Sequence, residues 1–152
     1  MSDRVFLDTN ILIYAFDRTD PAKHATARRL VEETVADGTF TISLQVLQEF
    51  YSVCTRKLDL RLRKEKAAVI VAEFLHHRVV EPNSGMLLKA VDLSRTSMIS
   101  LYDAMIVVAA ASAACPTLFT EDLSAGSSLA GVRVVNPFLP PPQLTPKGPS
   151  HA

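Results

Sequence analysis

The sequence predicts an α/β fold, a three-layer α/β/α sandwich in which helices cover both faces of a central parallel sheet. Short runs rich in β-branched and aromatic residues alternate with longer amphipathic segments along the chain. Apolar residues make up 48% of the 152 residues, which is enough for one sizeable core. Lysine plus arginine equals aspartate plus glutamate at 16 each, so the overall charge favours no class of partner.

The predicted elements follow one another as strand and helix. The predicted strands cover residues 4–7, 39–43, 78–83, 117–122 and 132–138. The predicted helices cover residues 11–17, 20–38, 44–57, 61–77, 84–96 and 100–114. The second helix has the clearest ends, since Asp20 can cap it, Pro21 suits its first turn and Gly38 follows it. The last helix is apolar nearly all round, so we expect it to be deeply buried.

The composition changes near the C-terminus. Residues 137–152 read PFLPPPQLTPKGPSHA and hold six of the nine prolines, without periodicity. We therefore expect one folded domain over residues 1–138 and a proline-rich tail over 139–152. The start of the chain has no secretory pattern, and the longest apolar run is too short to cross a membrane. With Cys54 and Cys115 expected as buried thiols, we expect a cytoplasmic protein that does not engage membranes.

Four carboxylates stand at the edges of apolar segments: Asp8, Glu49, Asp103 and Asp122. Most have an ordinary structural explanation. Asp8 or Thr9 could cap the first helix, Asp103 lies at capping-box spacing from Ser100, and Asp122 could be a turn residue. Glu49 is harder to explain, because it borders the apolar stripe of its helix, where an unpaired carboxylate is costly.

Taken together, the acids predict a metal site. In a parallel sheet the carboxyl ends of the strands share one edge, where ligands bind. Asp8 and Asp122 follow strands, and a helix that leaves this edge can bring Asp103 close in its first turn. Glu49 follows a strand by about one and a half helical turns. Converging carboxylates repel one another without a cation, and an oxygen-only ligand set selects Mg²⁺ or Mn²⁺. Since no nucleotide-binding glycine motif is present, hydrolysis of a phosphodiester is favoured over transfer from ATP.

Five stretches, FLDTNILIYAFD, VLQEFY, SLYDAMIVVAAA, LFTEDLSAG and VVNPF, together resemble the PIN-domain ribonucleases, and among them the VapC-type toxins of bacterial toxin–antitoxin pairs. The resemblance spans roughly Val5 to Phe138. It implies an acidic pocket that binds Mg²⁺ or Mn²⁺ and a metal-dependent endoribonuclease activity, as the toxin of a type II pair. It also implies an RNA substrate, a homodimer and an antitoxin peptide that fills the cleft.

The resemblance assigns roles to seven residues. The family's acidic positions match Asp8, Glu49, Asp103 and Asp122, which are the implied metal ligands and catalytic residues. Its polar positions match Thr9 and Asn10 beside the first acid and Thr120 before the last. Glu121 adjoins Asp122, and strand alternation would offer only one of the two to the pocket. The family pattern favours Asp122.

Residues 56–66, RKLDLRLRKEK, carry a local net charge of +4 and are here named the basic segment. They could contact RNA phosphates, although a solvated helix face is the commoner explanation. Arg28 and Arg29 could serve RNA or a partner.

Two other functions compete with the nuclease. A haloacid-dehalogenase-like phosphatase also starts with a strand and an aspartate, but it needs a second aspartate where this chain has Asn10. A catalytically silent PIN-like domain that only binds RNA or a partner would be marked by loss of an acid, yet all four are present.

Overall fold

The computed structural model describes residues 2–56 and 62–140. Within them, helices and strands alternate much as predicted. The strands are β1 (Val5–Leu7), β2 (Phe40–Ser43), β3 (Arg78–Val80), β4 (Thr117–Phe119), β5 (Ser128–Leu129) and β6 (Val132–Val135). The helices are α1 (Thr9–Phe16), α2 (Pro21–Asp37), α3 (Leu44–Arg56), α4 (Lys64–Phe74), α5 (Ser84–Ser97) and α6 (Leu101–Ser112).

The sheet has the strand order β3-β2-β1-β4-β6-β5. All neighbouring pairs from β3 to β6 are parallel. The chain builds the sheet outward from β1 to β2 and β3, and then returns to place β4 on the other side of β1. The gap between the ends of β1 and β4 is therefore the point where the winding direction reverses, which is where open α/β sheets bind ligands.

The helices form two groups. Helix α1 packs on α2 and α3, and α3 packs on α4, whereas α5 packs on α6 and α6 lies against β2, β4 and β6. Right-handed crossovers place α1 to α4 on one face of the sheet and α5 and α6 on the other. This arrangement confirms the predicted layered α/β fold.

The apolar pattern of the sequence accounts for the core. The middle strands bury Phe6, Leu7, Ile42, Leu118 and Val134 completely. Helix α6 buries an almost continuous run from Ala104 to Ala110, as its apolar surface predicts. A strand covered by helices on both faces has no solvent side, which explains why these strands read as apolar runs.

The ends of α2 follow the sequence signals closely. The Asp20 carboxylate accepts a hydrogen bond from the backbone N–H of Lys23, and Pro21 opens the helix. Gly38 ends it with φ of 70°, a left-handed conformation that glycine adopts without a Cβ clash.

The sheet is not wholly parallel, which corrects the prediction. Strand β5 was not predicted, and it pairs antiparallel with β6 at the edge of the sheet. A two-residue turn joins the two strands, with φ of 50° at Ala130 and 79° at Gly131. Positive φ at both central residues suits the twist of a hairpin, but alanine rarely adopts it, so the turn carries no strong sequence signal.

Three predicted strands end earlier than expected, and the first of them, β3, ends at Val80 rather than at residue 83. Strand β4 ends at Phe119 rather than at residue 122, and β6 ends at Val135 rather than at residue 138. Residues 120–122 therefore lie in a loop, where their side chains need not alternate between the two faces of the sheet.

Among the described residues, no single helix is long and apolar enough to cross a membrane, although α5 and α6 pass that test jointly with a 120° bend between them. Both cysteines, Cys54 and Cys115, are buried. Of the predicted tail, residues 141–152 lie outside the described part of the chain.

Candidate active site at the carboxyl edge of the sheet

Asp8 lies at the end of β1, in the centre of the sheet. Its backbone N–H donates to the carbonyl of Phe119, which extends the ladder between β1 and β4 by one bond. Its carboxylate is only 4% exposed. Oδ1 accepts from the backbone N–H of Thr9 at 2.7 Å, and Oδ2 accepts from the hydroxyl of Thr120 at 2.8 Å. Asp8 thus caps α1, as the structural explanation has it, and is also held rigidly at the edge where ligands bind.

Burial raises the pKa of Asp8 to about 6. The hydrogen bonds from Thr120 and Thr9 oppose that rise, while the charges of Asp122 and Glu49 add to it. A carboxyl group whose pKa is raised by burial and by neighbouring carboxylates is typical of a functional site. Asp8 is therefore close enough to two other acids for their charges to act on it.

Asp122 lies in the loop after β4, across the gap from Asp8. Its Oδ2 accepts a hydrogen bond from Nδ2 of Asn10 at 3.0 Å. Asn10 also donates to the Thr120 hydroxyl at 3.3 Å and accepts from the backbone N–H of Glu121 at 3.4 Å. The first turn of α1 therefore fixes the loop that carries Asp122, and Asn10 and Thr120 both lie beside the acids.

Glu49 lies on α3 and reaches toward the start of α1. Its Oε2 accepts from the hydroxyl of Thr9 at 2.7 Å, and its Oε1 accepts from Nε2 of Gln45 at 3.0 Å. The side chain is half-buried at the border of the buried face formed by Val46 and Phe50. Its cost of burial is thus offset by two hydrogen bonds rather than by a positive charge.

Asp103 lies in the first turn of α6, and its backbone N–H donates to the hydroxyl of Ser100, which caps the helix. Partial burial raises its pKa; a hydrogen bond from Ser100 opposes this, and the charges of Asp122 and Glu49 add to it. The capping explanation therefore holds for the backbone, while the carboxylate faces the same two acids that act on Asp8. All four predicted acids meet at one edge of the sheet.

Glu121 points away from this group. Its carboxylate pairs with the ammonium group of Lys23 at 2.8 Å. The ammonium also lies 4.9 Å from the ring centre of Tyr14 and 5.4 Å from that of Phe138, within the range of cation–π attraction. Glu121 is thus held by Lys23, whereas Asp122 is held by Asn10.

The acids Asp8, Glu49, Asp103 and Asp122, here named the acid cluster, fit a hard divalent cation. Their donor atoms are all oxygen, and none of the ion pairs among residues 2–56 and 62–140 involves them. In the described part of the chain, no three Asp, Glu, His or Cys side chains are already gathered tightly enough to hold an ion. Burial raises the pKa values of Asp8 and Asp103, and the charges of Asp122 and Glu49 raise them further; a bound cation would relieve this repulsion.

Among the described residues, no basic side chain forms an ion pair with the acid cluster. Arg63 and Lys64 are exposed at the start of α4, where Arg63 lies 4.0 Å from Glu65. The rest of the basic segment is divided: Arg56 ends α3, whereas Lys57 and Arg61 lie outside the described residues. Lys66 lines a groove of about 610 Å³ with Arg18 and Arg28.

The groove has an apolar floor that includes Phe16, Val31 and Leu62. Arg28, on its rim, also pairs with Glu32 at 2.9 Å, and Arg29 is exposed. A basic rim around an apolar floor suits a protein segment better than a bare phosphate chain.

Sequence reasoning missed two residues of the site. Gln45 bonds Glu49, and its spacing of four residues on one helix is the signal that could have found it. Lys23 decides the orientation of Glu121 from a helix that begins 100 residues earlier, and no local pattern indicates such a contact.

The family model for the PIN domain matches residues 5–125. No curated protein is similar enough in sequence to count as a relative. The fold is similar to the crystal structure of VapC20 from Mycobacterium tuberculosis, described as a sarcin–ricin loop cleaving toxin, with a TM-score of 0.58, 21% identity, and coverage of 75% of this chain and 86% of that one.

Two further solved structures share the fold. DNA-bound VapBC from Salmonella typhimurium has a TM-score of 0.60 at 19% identity, covering 88% of this chain and 97% of that one. VapBC2 from Rickettsia felis, bound to a DNA fragment from its promoter, has a TM-score of 0.61 at 20% identity, covering 86% and 96%. The match over residues 5–125 and the shared fold show that this chain belongs to the PIN-domain family.

Proposed function

We propose that this protein is a Mg²⁺-dependent endoribonuclease that hydrolyses RNA phosphodiester bonds, and that it is the VapC-type toxin of a type II toxin–antitoxin pair in the cytoplasm. One observation carries the proposal: four carboxylates from distant parts of a PIN-domain chain converge at the carboxyl edge of the sheet, and no ion pair of the described residues neutralises them. Such a site suits a divalent cation, with Mn²⁺ as a possible substitute for Mg²⁺.

Asp8, Asp103, Asp122 and Glu49 are the residues that would hold the metal. A bound divalent ion would lower the pKa of a water molecule and stabilise charge on the phosphate oxygens. Thr9 and Thr120 keep both Asp8 oxygens in place, and Asn10 sets the direction of Asp122. Glu49, fixed at both oxygens but still half-exposed, can accept a proton from an attacking water that it orients.

The proposed macromolecular partners are an antitoxin and a second copy of the chain. Two of the structural neighbours are VapBC assemblies, which supports an antitoxin partner for this chain. An apolar patch on α5 and its C-terminal end supports a homodimer: Leu88 is 72% exposed and Met98 is 90% exposed, with Leu87 and Val91 beside them. Exposed apolar groups of this size are typical of protein interfaces.

The test of the nuclease is cleavage of RNA by the purified protein with Mg²⁺ or Mn²⁺, compared with the Asp8→Asn variant. We expect endonucleolytic products from the wild type and a loss of at least about a hundredfold in rate from the variant, because one charged ligand is removed. The variant is purified by the same procedure as the wild type, so it also controls for contaminating nucleases. Wild-type protein that binds RNA but cleaves none with either metal would favour the binding-only domain.

The toxin role needs a separate experiment in cells. Induced expression of the wild type is expected to arrest growth, and expression of Asp8→Asn is expected to leave growth unchanged. Co-expression of a small adjacent open reading frame should restore growth if it encodes the antitoxin. Normal growth with active wild-type nuclease would remove the toxin assignment and leave the enzyme assignment in place.

A further inference from the structure

Gln45 links Glu49 to the first turn of α6, which carries Asp103. It lies in the first turn of α3, where the chain leaves the end of β2. Its Nε2 donates to Oε1 of Glu49 at 3.0 Å and to the backbone carbonyl of Tyr102 at 3.1 Å. Tyr102 immediately precedes Asp103 in the first turn of α6. One amide group therefore ties Glu49 to the turn that carries Asp103.

The contact closes a chain of hydrogen bonds around the site. Thr120 donates to Asp8, and the hydroxyl of Thr9 next to Asp8 donates to Glu49. Gln45 then connects Glu49 to α6. Since α5 and α6 pack on the face of the sheet opposite to α3, this side chain bridges the two helical groups at the site.

We propose that Gln45 is a positioning residue of the metal site, which holds Glu49 and the Asp103 turn at a fixed separation. The proposal rests on the proposed function of the acid cluster. A glutamine suits this place because its amide offers two N–H donors, and the two contacts use both. The reversed amide would set its oxygen against two other oxygens, so the contacts fix its orientation.

The neutrality of Gln45 is the distinctive part of the proposal. A lysine or arginine here could bond Glu49 equally well, but its charge would compete with a divalent cation for the carboxylate. A neutral donor orients a ligand and leaves its charge available, as partners behind metal ligands commonly do. Because the amide is half-buried, its hydrogen bonds also compete less with water than those of a fully exposed side chain would.

The test compares three variants of the full chain. Gln45→Met keeps the length of the side chain and removes both donors. Gln45→Lys keeps a donor for Glu49 and adds a charge. Gln48→Met is the matched control, because Gln48 is an exposed glutamine on the same helix. Mn²⁺ affinity is measured without RNA by electron paramagnetic resonance, and kcat and KM are measured with RNA and saturating Mg²⁺.

We expect Gln45→Met to weaken Mn²⁺ binding by about 10- to 100-fold and to lower kcat with little change in KM, while Gln48→Met matches the wild type. Gln45→Lys should be folded, as thermal melts would show, but should bind Mn²⁺ at least about tenfold more weakly than the wild type. This variant decides the matter if Gln45→Met does not fold. Mn²⁺ affinity equal to that of the wild type in Gln45→Lys, or in a folded Gln45→Met, would overturn the proposal.

The Mn²⁺ measurement separates this proposal from the nuclease assignment. Wild-type protein that binds Mn²⁺ but cleaves no RNA would contradict the proposed function, and the variants would still test Gln45 through metal affinity alone. Wild-type protein that binds no Mn²⁺ would overturn the positioning role as well.

Discussion

The hydroxyl of Thr120 donates to Oδ2 of Asp8 at 2.8 Å, although the two residues are 112 positions apart in the chain. The contact spans the gap between the ends of β1 and β4, where the winding of the sheet reverses. Both residues are buried, so the hydrogen bond is made in a low dielectric, where it has the most effect on the charge of Asp8.

Removing this hydroxyl should destabilise the ionised form of Asp8. We expect Thr120→Val to lower the free energy of unfolding by about 1–3 kcal/mol at pH 7, because a buried carboxylate loses a donor. The loss should be smaller at pH 5, where Asp8, with a pKa of about 6, is mostly protonated. Urea unfolding at the two pH values measures both quantities. Thr120→Ser, which keeps the hydroxyl, is the control, and equal losses at both pH values would contradict the explanation.

The raised pKa of Asp8 makes the metal-free fold sensitive to pH. The folded protein keeps this proton up to about pH 6, whereas the unfolded chain releases it near the ordinary value of 3.8, so the folded state binds more protons between these values. Stability should therefore fall as pH rises from about 4 to above 6, by up to about 3 kcal/mol from this residue.

The check is urea unfolding of metal-stripped protein across this range. The side chain of Asn cannot ionise, so the free energy of unfolding of Asp8→Asn should fall less as the pH rises. The free energy of unfolding of the variant should exceed that of the wild type most at pH 7. Mg²⁺ should narrow that gap at pH 7, because it binds the ionised wild-type site. A gap between wild type and variant that stays constant from pH 4 to 7 would rule out this account.

The two neighbouring acids in the loop after β4 should differ sharply in their effect on RNA cleavage. Asp122 faces Asn10, whereas Glu121 pairs with Lys23 on the outer side. We expect Asp122→Asn to lower the rate of RNA cleavage by at least about tenfold, as loss of a ligand does, and Glu121→Gln to lower it by less than about threefold. Rates at saturating Mg²⁺ provide the measurement, and a larger effect of Glu121→Gln would reverse the assignment.

Exposed residues of the basic segment should act through phosphate contacts. Replacing Arg63 and Lys64 together by alanine should weaken RNA binding most at low salt and flatten the dependence of log Kd on log salt, by about 0.7 per lost contact with a single strand. Fluorescence anisotropy with an uncleavable RNA at several salt concentrations measures the slope. The double variant Arg28→Ala and Arg29→Ala, on α2, provides a comparison of equal charge. An unchanged slope would return the segment to an ordinary solvated surface.

The apolar patch on α5 should determine the oligomeric state. Leu88→Glu places a charge in the proposed contact and should convert dimers to monomers in light scattering coupled to size exclusion. Val69→Glu is the control, since Val69 is also an exposed apolar residue, 57% accessible, but lies on α4. A wild-type monomer, or a dimer that tolerates Leu88→Glu, would remove this patch as the dimer contact.

The positions of residues that act through their neighbours in the chain were predictable from sequence. Asp20, Pro21 and Gly38 mark α2 because each satisfies a need of a helix end. The position of Asp8 at the ligand-binding edge could be predicted because Asp8 directly follows a buried strand. The carboxyl ends of parallel strands always lie at the same edge of the sheet. The family resemblance depended on Asp8, Glu49, Asp103 and Asp122 together with their apolar neighbours.

Contacts between distant side chains were less predictable. The hairpin of β5 and β6 depends on Ala130 adopting a positive φ, which the hairpin imposes against its intrinsic preference. The orientation of Glu121 depends on Lys23, and the alternation argument did not apply because β4 ends at Phe119. Gln45 was missed because its only sequence signal is its spacing of four residues from Glu49, and its contact with the Tyr102 carbonyl lies 57 positions away in the chain.

The central position of β1 has a consequence for synthesis on the ribosome. One edge of β1 pairs with β2, but the other remains unpaired until residues 117–119 have been made. A nascent chain holds Asp8, Glu49 and Asp103 well before it holds Thr120 and Asp122, which complete the edge. Unfinished chains should therefore be inactive, and nuclease activity should appear only after the ribosome has translated the chain beyond β4.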